Sequence, residues 1–218
     1  MSSLLQLAFP TAAAGALAVL NLAQRRQVVA GRRDPVTGLA TRAEWMRHAA
    51  KAVRRPAGLW LLAVDGDGFK AVNDTHGHDA GDVVLAALAL RLAAWVGPRG
   101  TVGRLGGDEF MATWRPRRGD GPLTVRMAEL LADLSEPVRF GTAWIPAAAS
   151  VGVIEVAVLP APSLPQAMKG ADLALYAAKA AGRGTWRLAE PPAGGYTIQP
   201  APLRRTRSVG PAGQTGGA

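Results

Sequence analysis

An α+β fold is predicted by three features of the sequence: a continuous apolar run at residues 59–64, a glycine-centred hairpin within 101–114, and apolar positions recurring at helical spacing over 80–96 and 123–134. Strands and helices intermix along the chain in α+β fashion.

Residues 4–23 form an uncharged, mostly apolar stretch. As a helix rising ~1.5 Å per residue it spans roughly 30 Å, one hydrocarbon core. Arg25, Arg26, Arg32 and Arg33 follow it and no basic side chain precedes it, so a span here would leave the remainder in the cytoplasm, anchored to the cytoplasmic membrane by one N-terminal helix. Pro10, Gly15, Gln6, Asn21 and many alanines contribute little to insertion. A helical stalk packed on a second copy of the chain is therefore the competing reading. The missing basic start disfavours a cleaved signal peptide. Residues 1–30 are set apart on these grounds as an apolar helix, either a membrane span or a dimerisation stalk.

Asp34-Pro35-Val36-Thr37-Gly38-Leu39 reads as a turn. Thr41-Arg42-Ala43-Glu44 then has the Ser/Thr-x-x-Glu form of a capping box, opening a helix to about Arg54. Residues 59–64 read as a short strand buried on both faces, with Asp65 at its open end. A segment dense in polar groups, 69–82, separates that strand from the helix of 80–96. Residues 101–105 and 110–114 flank Gly106-Gly107-Asp108-Glu109, a hairpin whose glycine-led turn carries two adjacent acids. An amphipathic helix over 123–134, a strand over 147–156, a helix over 163–181 and a short strand over 185–188 complete the order. From Glu190 the chain is rich in Pro, Gly, Thr and Gln, carries Arg204, Arg205 and Arg207, and lacks a periodic apolar face, the pattern of a disordered tail over 190–218.

At 218 residues, 49% of them apolar, the chain holds one domain with a sizeable core and short appendages, and global disorder is excluded. A formal charge of +9 favours anionic partners, although an arginine-rich surface has the same signature. The absence of cysteine excludes disulfides, thiolate metal sites and a cysteine nucleophile.

Chemistry concentrates in three places. Paired glycines at 106 and 107 let the backbone approach a ligand while Asp108 and Glu109 project beside it. Asp65, at the end of an apolar strand, supplies a second acidic loop, as phosphoryl-transfer sites need when carboxylates hold magnesium against a triphosphate. The third is the polar segment from Phe69 to Asp82.

Together these segments resemble the GGDEF family of diguanylate cyclases, whose pattern is D-x-L-T-G-L, D-x-D-x-F-K-x-x-N-D-x-x-G-H-x-x-G-D, G-G-D-E-F and A-D-x-A-L-Y-x-A-K-x-x-G-R. All four motifs occur here in that order between Asp34 and Leu188, the first with Val36 in place of its leucine, which makes residues 31–189 the expected GGDEF domain. The resemblance implies a mainly antiparallel, five-stranded central sheet flanked by helices, akin to the polymerase palm and nucleotide cyclases. It implies an enzyme that condenses two GTP into cyclic di-GMP and two pyrophosphates, with Mg2+ at two ions per site, as a homodimer. Asp65, the carbonyl of Gly66 and Asp108 correspond to metal ligands. Asp108 and Glu109 correspond to the catalytic acids. Asn73 and Asp82 match the guanine readers, since an amide offers donor and acceptor and a carboxylate accepts from guanine N1 and N2 hydrogens. Lys70, Lys179 and Arg183, the last two spaced along one helix face, match the phosphate contacts, and Gly106 and Gly107 let the substrate approach. Asp34 and Arg42 are expected to brace the first turn, and Asp67 to be a structural acid. His78 is expected to be a structural hydrogen-bonder near the base.

The chain departs from the family at Gly66, Gly68 and Gly184, and it has Gly97 and Gly100 where the product-inhibition R-x-x-D would stand, so no such feedback site is expected. The alternative function is a non-catalytic GTP-binding signalling module of the same fold. A membrane or nucleic-acid scaffold explains none of the ordered motifs, and no specific nucleic acid is expected as a partner.

Overall fold

The computed structural model describes residues 31–196, and in it the apolar run predicted at 59–64 becomes the centre of a sheet. The strands are β1 (Ala40–Thr41), β2 (Trp60–Gly66), β3 (Thr101–Gly106), β4 (Glu109–Trp114), β5 (Val138–Phe140), β6 (Ala143–Ile145), β7 (Ala149–Glu155) and β8 (Trp186–Leu188). The helices are α1 (Arg42–Val53), α2 (Phe69–His76), α3 (His78–Val96), α4 (Leu123–Ser135) and α5 (Leu164–Ala180).

The main sheet has the order β1-β3-β4-β2-β7-β8, while β5 and β6 form a separate ribbon. The inner pairs β3·β4, β4·β2 and β2·β7 are antiparallel. The outer pairs β1·β3 and β7·β8 are parallel, so the sheet is mixed and has six strands where five were expected. The two-residue β1 accounts for the extra strand.

Helices cover both faces, which explains why β2 lacks the alternation usual in antiparallel strands. Leu61 and Ala63 pack on one side with Trp45 and Ala49 of α1 and Ala167 and Ala171 of α5. Leu62 and Val64 pack on the other with Leu85, Leu88 and Leu92 of α3 and Met127 and Leu130 of α4. On the first face α5 lies almost in backbone contact with β7: a Cβ at Gly152 would sit 2.1 Å from the Ala171 carbonyl oxygen and 2.2 Å from the Leu175 nitrogen. That close approach sets the height of α5 above the sheet, and with it the side chains at the helix's C-terminal end.

Several local expectations change. Thr41 is the residue preceding α1, but its side chain caps no helical N–H; its hydroxyl donates to the Gly31 carbonyl at 3.2 Å, and Glu44 is drawn to Arg47 at 2.5 Å. The capping box is therefore replaced by a side-chain ion pair. The polar segment after β2 folds as α2. The tail expected to begin at Glu190 stays on the domain through Tyr196, whose N–H donates to Gln166 Oε1 at 2.6 Å and whose ring packs against the α5 side of the core. The apolar stretch 4–23 lies outside the described residues, and among the described residues no helix is long and apolar enough to cross a membrane.

Candidate active site

Sheet register brings Asp65 next to the turn that carries Asp108 and Glu109. Asp65, next to last in β2, stands opposite Glu109, the first residue of β4, and the Gly66 N–H donates to the Asp108 carbonyl at 3.1 Å. A Cβ at Gly66 would lie 3.4 Å from the Asp108 Cβ. The β3–β4 turn that carries Asp108 is tight: Gly106 pairs with Glu109, leaving Gly107 and Asp108 as the two central residues, and Gly107 has φ +52°, a conformation that favours glycine.

Asp65 is buried, and that burial, reinforced by the charges of Asp108 and Glu109, pushes its carboxyl above the usual carboxylate range. Lys179, from the last turn of α5, opposes the shift: its Nζ lies 2.7 Å from Asp65 Oδ1. An ammonium thus already neutralises one of the acids at the spot where carboxylates repel one another.

Among the described residues no three His, Cys, Asp or Glu side chains converge into a cation cage. The donors present, two carboxylates and the Gly66 carbonyl, are nevertheless hard oxygens. They suit Mg2+, which characteristically takes one or two protein carboxylates and completes its shell with water and substrate phosphates. The crowding that disfavours ionised Asp65 is what such a cation relieves.

On the other side of the β2–α2 loop, Asn73 of α2 has a buried Oδ1 with no hydrogen-bond partner among the described residues. Its amide lies against the backbone of α3, where a Cβ at Gly81 would be 1.9 Å from that oxygen. A buried acceptor without a partner is costly. Asp82 follows Gly81 and is exposed. His78, at the start of α3, is exposed.

The cationic side chains divide. Lys70 is exposed and pairs with Asp74 at 2.7 Å along α2. Arg183 does not continue the face of Lys179, because α5 ends at Ala180 and Arg183 sits in the following turn with φ +64°. Glycines on both sides break the helix there.

Asp67 meets the expectation of a structural acid. Its carboxylate accepts from the Ser150 hydroxyl at 2.9 and 3.0 Å and from the Gly184 N–H at 2.9 Å. Asp34 accepts from Thr37 and from Arg104 at 3.0 Å, so Arg104, not Arg42, braces the first turn. Arg104 also donates from Nε to the Gly107 carbonyl at 2.8 Å, tying that turn to the acidic hairpin. Sequence reasoning passed over Arg104; its place two residues before the paired glycines, on the strand that leads into them, was the available signal.

A family described as "Diguanylate cyclase, GGDEF domain" matches residues 32–185. The "Uncharacterized 19.3 kDa protein in repSA 5'region" of Streptomyces ambofaciens is 46% identical over 72% of this chain and 84% of its own length. The "Probable diguanylate cyclase DgcC" of Escherichia coli K12 is 36% identical over 76% of this chain, which spans only 45% of that protein. Among solved structures, the coiled coil and GGDEF domain of DgcB from Caulobacter crescentus, in complex with c-di-GMP, superposes with a TM-score of 0.67 at 27% identity, over 87% of this chain and all of that one (100%).

Proposed function

Because the chain belongs to the GGDEF diguanylate cyclase family, we propose that it condenses two GTP molecules into cyclic di-GMP and two pyrophosphates as a pair of facing copies with Mg2+. The observation that carries this reading is the junction of Asp65 with the Asp108–Glu109 turn, held by the Gly66 N–H to Asp108 carbonyl bond.

Asp65, Asp108 and the Gly66 carbonyl would hold magnesium, which when bound offsets the triphosphate charge and lowers the pKa of the attacking hydroxyl. Lys179 and Arg183 hold phosphate oxygens, with Lys70 free to exchange Asp74 for a phosphate. Asn73 Oδ1 accepts from guanine and Asp82 accepts from its N1 and N2 hydrogens, a donor pair adenine lacks. Asp108 lies where the 3′-hydroxyl loses its proton, and Glu109 assists as a further acid ligand or base.

Each copy holds one GTP. The 3′-hydroxyl of each nucleotide attacks the α-phosphate of the other, forming two phosphodiester bonds and releasing two pyrophosphates. Both active sites must therefore face one another. Residues 31–189 form the catalytic unit, and residues 1–30 serve as a dimerisation stalk or membrane anchor that keeps two copies together; the coiled coil that accompanies the GGDEF domain of DgcB supports the former.

The test is to incubate purified chain with magnesium and GTP and separate the nucleotides by chromatography, with Asp108→Ala as control. A cyclic dinucleotide peak that the control lacks supports the enzyme. GTP retained without turnover by the native chain would favour a non-catalytic GTP-binding module.

A further inference from the structure

We propose that Asp67 is a positioning residue that fixes Arg183 and the C-terminal end of α5 against the metal-binding loop, so that Lys179 and Arg183 present a preformed phosphate cradle. The inference rests on the nucleotide reading above.

Asp67 follows Asp65 and Gly66 directly, and its own N–H donates to the Ala148 carbonyl at 2.9 Å, which anchors the loop to the residue before β7. Its carboxylate has no free face. The Ser150 hydroxyl, fully buried in β7, donates to both oxygens at 3.0 and 2.9 Å. The Gly184 N–H donates to Oδ2 at 2.9 Å, and Arg183 Nε lies 3.8 Å from Oδ1. One short side chain therefore joins three parts of the chain: the loop of Asp65, the sheet at Ser150, and the turn that follows α5.

That turn needs an external hold. Arg183 has φ +64°, the left-handed region that a side chain of its size seldom adopts, and Gly184 follows with φ +57°. Backbone in this conformation persists only when its surroundings over-determine it. The bond from Gly184 N–H and the charge facing Arg183 both come from Asp67, and among the described residues they are the side-chain contacts that reach this pair of residues. Held so, the Arg183 guanidinium is only partly committed, with its side chain 63% exposed, while Lys179 one turn earlier sits on Asp65. Two cations are thereby set at fixed places on either side of the loop that carries the metal ligand. An unanchored turn would have to order itself when phosphate arrives, at a cost in affinity.

The experiment measures GTP and guanosine affinity by calorimetry on the full chain with Mg2+ for the native protein, Asp67→Asn, Asp67→Ala, Arg183→Ala and the Asp67→Ala/Arg183→Ala double variant. Thermal unfolding identifies variants that have lost the fold. Asp67→Asn keeps an acceptor for Ser150 and Gly184 but drops the charge on Arg183, so it serves if Asp67→Ala does not fold. The expected result is a GTP affinity about tenfold weaker in Asp67→Ala and about threefold weaker in Asp67→Asn. Guanosine affinity should not change, and Asp67→Ala should cost less in the Arg183→Ala background than in the native chain. Unchanged GTP affinity in a folded Asp67 variant would overturn the positioning role, as would losses that simply add, or equal losses for guanosine and GTP. A native chain that binds neither GTP nor guanosine would instead overturn the nucleotide reading, and this role with it.

Discussion

Lys179 Nζ stands 2.7 Å from Asp65 Oδ1, although the two residues come from opposite ends of the domain's sequence. The pair joins the C-terminal end of α5 to the acidic side of the site: the contact that α5 makes with β7 at Gly152 sets the helix, and the helix sets the ammonium.

Replacing Lys179 by alanine removes both the proposed phosphate contact and the cation that opposes the upward shift of Asp65. GTP should bind roughly ten- to a hundredfold more weakly, as expected for losing one charge-assisted contact. Lys179 opposes the upward shift of Asp65, so its loss moves that carboxyl further up. The acid limb of kcat/KM against pH, which requires ionised Asp65, should therefore move to higher pH in the variant.

Asp65→Asn should make the metal-free protein more stable near neutral pH while abolishing turnover. The carboxyl of Asp65 is raised in the folded state, so its protonated form favours folding and that contribution is lost as pH rises through the folded value. At neutral pH the neutral amide removes the burial cost of the charge and its repulsion from Asp108 and Glu109 together with its attraction to Lys179, and the net is a gain because burial is the largest influence on this carboxyl. Thermal unfolding with a chelator across pH should show the gain at neutral pH and its disappearance on acidification below the folded value.

Gly81→Ala tests the proposed guanine end without altering a group assigned to nucleotide contact. The new methyl would meet Asn73 Oδ1 at 1.9 Å, so the amide must move. Alanine favours a helix interior, so the fold should persist while GTP affinity falls about tenfold. Discrimination against ATP should narrow with it, measured as the ratio of the two binding constants.

Gly152→Ala should destabilise the domain by about 2–3 kcal/mol, because the clash is with backbone atoms of α5 that no rotamer change relieves. Chemical denaturation measures this, and residual activity in the folded fraction should fall because Lys179 moves with the helix.

Much of this architecture was legible from apolar periodicity. The run at 59–64, the hairpin around Gly106 and Gly107, and the helices after Ala80, Leu123 and Ser163 all appear within a few residues of their expected bounds. What escaped was structure fixed by tertiary contact. The helix from Phe69 to His76 has no residue buried enough to leave a strong apolar stripe. The two-residue β1 exists because it pairs with β3, and Arg183 left the helix because flanking glycines end it, which a spacing rule does not register. The acids themselves were readable as types, but their meeting depends on the register of β2 with β4. The bracing of Asp34 by Arg104 likewise depends on strand placement that the sequence does not state.

In the proposed mechanism Asp65 and Asp108 together gather divalent cations onto a guanosine triphosphate. Titrating Mn2+ into the purified chain with GTP, and counting bound ions by electron paramagnetic resonance, tests it most directly. Tight Mn2+ binding should appear only when GTP is present and be lost in both Asp65→Ala and Asp108→Ala. Equal Mn2+ binding by the native chain and the two folded variants would contradict it.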